Sequence, residues 1–120
     1  LRIGPLGSHQ FIDYFALACH RAVAERLRRE PETIIKIARE NLARWKASGV
    51  FDKGEVLSLS EWEKILNESN VEELIAIITE DSDEGQRLRQ STPFAGVLSE
   101  DGRLKILADC VLMAEKLEGD

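Results

Sequence analysis

The chain is poor in the residues that carry most chemistry. Among 120 residues there are two histidines, two cysteines, three prolines, one methionine and one tyrosine. Cys19 and Cys110 lie far apart, without the paired spacing of a zinc site or the density of a disulfide scaffold, and read as two thiols buried mid-helix. No apolar run approaches the roughly 20 residues that span a bilayer, and no secretory pattern is visible, so the expected location is the cytoplasm, without a membrane partner. Phosphate-cradling glycine loops, nucleotide fingerprints and internal repeats are absent from the sequence. With so few acid–base and metal-ligating groups, the expectation is a protein that is not an enzyme and carries no catalytic residue, cofactor or metal.

What is present is apolar periodicity and charge: 43% of residues are hydrophobic and 32% charged. That composition is globular, and a chain of this length buries roughly 65% of the surface its unfolded form exposes. The segment Gly4-Pro5-Leu6-Gly7-Ser8 resembles what remains of a cleavable expression tag, so residues 1–9 are set aside and 10–120 are read as a single helical domain.

The periodicity predicts an all-α fold, a compact bundle of about five to six helices. Phe11, Phe15, Cys19, Val23 and Leu27 recur every four residues on one face of a helix running from Phe11 to about Arg29. Pro31 opens a second helix to about Ser48, with Ile34, Ile37, Ala38, Leu42 and Trp45 inward and Gly49 as its stop. Asp52-Lys53-Gly54 reads as a turn, followed by a short helix from about Leu59 to Asn67 capped by Ser58 with Glu61. Asn70 with Glu73 caps the next helix. Its run Leu74 to Thr79 has strand-like composition, but the leading glutamates favour helix. Ser82 caps a further short helix through Gln90, ended by Thr92-Pro93. Ser99 starts the last helix, to about Leu117, which is apolar nearly all round from Ile106 to Ala114. Such a helix is either central to the bundle or offers a second face to another chain, as in a homodimer.

Each motif has a plain structural counterpart. His20 is the one histidine outside the set-aside segment, and Cys19 beside it points about 100° away round the helix, so a core or boundary imidazole is expected. Asp81-Ser82-Asp83-Glu84-Gly85 alternates acids before a glycine, but the glycine comes too early for a calcium loop and Thr92 stands where a bidentate carboxylate is required. The pair of helices at Leu59–Asn67 and Val71–Glu80 has helix-turn-helix lengths, yet Glu72 and Glu73 open the would-be recognition helix. Residues 1–50 carry a net +4 and residues 51–120 a net −10. The acidic half suits a basic partner better than nucleic acid.

The stretch Arg87 to Ser99 stands out as an apolar loop between helices. Phe94 to Leu98 is either a plug closing the bundle or the anchor for a partner.

The set His20-Arg21, Val23 to Leu27, Ala38 to Trp45, Glu61-Trp62 and above all Leu88-Arg89-Gln90-Ser91-Thr92-Pro93-Phe94-Ala95-Gly96-Val97-Leu98 resembles a family of small bacterial proteins encoded beside toxin genes of nucleotidyltransferase-like or nuclease-like type. The resemblance covers about residues 16–108. The chain departs from that pattern between Val50 and Leu59, where the connection is longer, and after Leu107, in its apolar extension. The likeness implies an antitoxin-type role: a protein-interaction module that binds and neutralises a toxin. Candidate partner-binding residues are Arg87, Arg89, Phe94, Val97 and Leu98, with an acidic face built from Glu72, Glu73, Glu80, Asp81, Asp83 and Glu84. The alternative is a DNA-binding transcriptional regulator using Arg21, Arg26, Arg28, Arg29, Lys36 and Arg39.

Overall fold

A computed structural model describes residues 8–119, with side chains through 117. Six helices make up the described chain: α1 (His9–Arg29), α2 (Pro31–Ser48), α3 (Lys53–Glu68), α4 (Val71–Ile78), α5 (Asp83–Arg89) and α6 (Glu100–Gly119). The expected all-α domain is what the chain forms, and the strand-like run at Leu74 is helical.

Most boundaries follow from local chemistry. Ser8, within the segment set aside as a tag remnant, caps α1 by accepting the Phe11 N–H, and His9 is its first residue; residues 1–7 of that segment lie outside the described residues. Pro31 opens α2, and Gly49, left-handed at φ 73°, closes it. Asn70 and Glu73 form a reciprocal capping box at α4, and Ser82 caps α5 through the Gly85 N–H. Ser99 Oγ accepts the Gly102 N–H at the start of α6.

The expectation for α3 needs correction. Asp52-Lys53-Gly54 is not a turn before a later helix but the helix start itself: Asp52 accepts the Glu55 N–H while the Glu55 carboxylate accepts the Asp52 N–H. Two orphan donors satisfied at one end outweigh the helix cost of Gly54. The helix therefore gains more than a turn, and Leu57 faces solvent at 71% exposure.

Helix α1 is the axis of the fold, contacting α2, α4, α5 and α6, while α2 also packs on α3 and α4 on α5. Two hydrophobic clusters result. The main core joins Val23, Leu27, Ile34, Leu42, Trp62, Leu74, Ile78, Leu88, Phe94 and Val97. A satellite cluster of Phe11, Cys110 and Ala114, with Phe15 and Ile106 partly buried, holds α6 to the first half of α1. Phe15 and Cys19, expected fully inward, are only half-buried because they lie on this thinner two-helix arm. Arm and main core together give extents of 46 × 34 × 25 Å.

Candidate functional site

Leu88 to Leu98 is the plug of the bundle, held by polar side chains from three helices. From α2, buried Asn41 uses both hydrogens of its Nδ2 amide, donating to Pro93 O and Ala95 O at 2.9 Å each. From α3, Trp62 Nε1 donates to Leu88 O (3.1 Å) and Ser91 Oγ (3.2 Å). From α1, Arg26 donates to Val97 O and also pairs with Glu30. Phe94 sits between Trp62 and His20, meeting both edge to face at 6.0 and 6.3 Å. Gly96 turns the chain back with φ 82°, a conformation that a Cβ would strain.

His20 completes the clamp. Its Nδ1–H donates to Ala16 O and its Nε2 accepts the Thr92 hydroxyl, both at 2.7 Å, and this pairing fixes the tautomer. The Thr92 oxygen in turn accepts the Phe94 N–H at 3.3 Å. The arrangement orders the loop rather than freeing a nucleophile.

Burial holds the His20 imidazole below its usual pKa of 6.5; the Ala16 carbonyl opposes this and Arg89 adds to it. The unfolded state therefore binds the proton first as pH falls, so His20 contributes stability that is present above about pH 6.5 and lost below it. Between about pH 7 and about pH 5 the denaturant midpoint is expected to fall. His20→Gln is expected to flatten that slope, and an unchanged slope in the variant would remove His20 as its source.

The expected partner anchors are thus relocated. Phe94 (4% exposed), Val97 (2%) and Arg89 (4%) are inside, and of the apolar candidates only half-buried Leu98 stays accessible, lining a cleft of about 470 Å³ with Ala95. The plug alternative for Phe94 is the one realised, because burial between two rings leaves nothing for a partner to cover. Arg87 is exposed but engaged, reaching Glu61 and Glu84 at once. Its hydrogen bonds hold both carboxyls below the ordinary glutamate range.

The six acids expected to form a partner face are solvent-exposed. Glu72, Glu73, Glu80, Asp81, Asp83 and Glu84 are all exposed at the starts of α4 and α5 and the turn between them. Among the described residues only Glu84 has a cationic partner. Beside it, Arg87 also lines a cleft of about 450 Å³ whose apolar walls are Trp45, Phe51 and Leu59 and whose polar rim includes Gln90 and Thr92.

Half of the basic set is engaged within the chain. Arg26 is tied to Glu30 and Val97 O, Arg28 to Glu25, and Arg39 to Asn67 and the end of α3 at Leu66 O. Arg21, Arg29 and Lys36 remain exposed without a carboxylate partner among the described residues. Three unengaged cations are few for a phosphate track.

Sequence reasoning passed over Asn41 as a functional polar group. The signal was a polar residue in line with the Ile34, Ala38 and Trp45 stripe of α2. No group of three or more metal-ligating side chains occurs among the described residues, and no described helix is long and apolar enough to cross a membrane. No protein-family model, curated protein or solved structure matches this chain.

Proposed function

We propose that this protein is a helical interaction module of antitoxin type, docking the acidic surface of α4 and α5 onto a basic site of a toxin protein. One observation carries the reading: six exposed carboxylates lie on two short consecutive helices and the turn joining them, and five of them have no ion-pair partner among the described residues. Uncompensated charge of one sign on adjoining elements raises the encounter rate with an oppositely charged partner and sets its orientation. The neighbouring cleft walled by Trp45, Phe51 and Leu59 supplies apolar area beside that field, where a partner side chain is able to seat. The likeness of the Leu88 to Leu98 segment to proteins encoded beside toxin genes supplies the class of partner.

The test is affinity for the product of the adjacent gene. Glu72→Lys with Glu73→Lys is expected to weaken binding at least about tenfold at low salt, and wild-type affinity is expected to fall as salt rises. Undiminished binding by a folded double variant would remove the acidic face from the interface.

A further inference from the structure

The cleft walled by Trp45, Phe51 and Leu59 has polar groups of a particular kind. Most of its hydrogen-bond donors are engaged within the chain. The Thr92 hydroxyl donates to His20 Nε2, Ser91 Oγ to Leu88 O and Ser58 Oγ to Gly54 O. Arg87, the one cation lining the cleft among the described residues, directs four of its five N–H bonds at Glu61 and Glu84. Acceptors are what the cleft leaves open. The Glu55 carboxylate accepts the Asp52 N–H through Oε1, and its other oxygen has no partner among the described residues. Gln90 is exposed, with its side-chain carbonyl free to accept. Three carboxylates, Glu55, Glu61 and Glu84, thus stand at or beside the cleft against the single guanidinium of Arg87. An anion meets net repulsion there and few donors. A planar cation with several N–H groups meets acceptors, net negative charge and two half-buried aromatic rings.

We propose that this cleft takes an arginine side chain presented by the basic site of the protein partner, its guanidinium against Trp45, Phe51 and the Glu55 carboxylate. Leu59 lies one turn along α3 from Glu55, on the same face, and offers apolar surface to the aliphatic stem. At about 450 Å³ the cleft is of the size that holds a small ligand or one long side chain. Lysine carries the same charge, but only the planar guanidinium both stacks on an indole and forks onto a carboxylate. The source of the arginine rests on the interaction reading above, whereas the preference of the cleft for a guanidinium does not.

The isotope-labelled full chain is titrated with N-acetyl-arginine amide, its uncharged citrulline counterpart and its glutamate counterpart, followed by the Trp45 indole and the Gln90 to Thr92 amide resonances. The arginine derivative is expected to shift these signals with a Kd of about 10 mM or tighter, and the citrulline derivative to bind at least about fivefold more weakly. Glu55→Gln, which keeps the oxygen that caps α3, is expected to weaken binding about two- to fivefold. Trp45→Leu, with the fold checked by circular dichroism, is expected to weaken both the arginine derivative and the product of the adjacent gene at least about fivefold. Unshifted cleft signals, a citrulline derivative that binds equally well, tighter binding of the glutamate derivative, or a Glu55→Gln variant without effect would overturn the guanidinium site. A partner affinity indifferent to Trp45→Leu would overturn the partner as the source of the arginine. The small probes need no toxin, so a chain that binds the arginine derivative but not the gene product loses the toxin reading and that source, and keeps the chemistry of the cleft.

Discussion

Trp62→Ala is expected to lower the unfolding free energy by about 4 kcal/mol, within the range for removing a fully buried indole. The side chain is 0% exposed and central to the main core. Three losses combine: the cavity, the edge-to-face contact with Phe94, and the Nε1 donor that satisfies Leu88 O and Ser91 Oγ. Against a total stability of roughly 5–15 kcal/mol, that leaves the variant near the threshold of folding. Trp62→Phe separates the terms in part, because it removes the donor while keeping most of the ring volume. Its expected cost is about 1 kcal/mol, the net worth of a lost hydrogen bond and a little ring volume, because Leu88 O keeps the Ser91 N–H at 3.2 Å. Urea denaturation followed by far-ultraviolet circular dichroism checks both. A phenylalanine variant as stable as the wild type would mean that Leu88 O does not depend on the indole.

The same loop shows what the sequence made legible and what it did not. Helix count, the Gly49 stop and the Asn70 and Ser82 caps were readable because each is set by a few neighbouring residues. The start of α3 was misplaced because Asp52-Lys53-Gly54 has turn composition, and the carboxylate of Glu55 completing the capping box outweighs it. The role of Phe94 to Leu98 was left open between plug and anchor, and the deciding contacts are long-range. Asn41 is more than 50 residues from the carbonyls it holds, and His20 more than 70 from Thr92. Charge was a better guide to the surface than apolarity. The acids of α4 and α5 stayed outside as their solvation requires, whereas Phe94 and Val97, apolar and loop-borne, went in. For α6, an all-round apolar sequence left two options, and the contact with α1 along one seam is what exposes the other face.

Arg89 is expected to be the most sensitive charged position, and the reason lies in where α4 ends. After Ile78 the chain turns sharply into α5, and Gly85 comes so close that a Cβ there would lie 2.0 Å from Glu80 O. The Ile78 carbonyl is buried at that junction and the Glu80 carbonyl part-buried. Arg89 Nη1 donates to Ile78 O at 3.2 Å and to Glu80 O at 2.8 Å, supplying a cation at the negative end of the α4 dipole. Burial lowers the Arg89 pKa, and the carboxylates of Asp81, Asp13 and Glu80 offset this in part while Arg21 adds to it. No carboxylate pairs with it directly among the described residues, and its buried Nε has no hydrogen-bond partner there. Two effects therefore oppose each other on replacement: relief of a desolvated charge, and the loss of the donor to two acceptors, at about 1–3 kcal/mol for the buried Ile78 O and less for the part-buried Glu80 O. The second is larger, because the buried Ile78 O has no other donor among the described residues. Arg89→Met, which keeps the stem volume, is expected to cost about 2 kcal/mol, and Arg89→Ala about 3–4 kcal/mol once the cavity is added. Equilibrium urea unfolding of the two variants distinguishes the terms. A methionine variant as stable as the wild type would show that relieved desolvation cancels the lost carbonyl contacts, and that Arg89 does not hold the α4–α5 junction together.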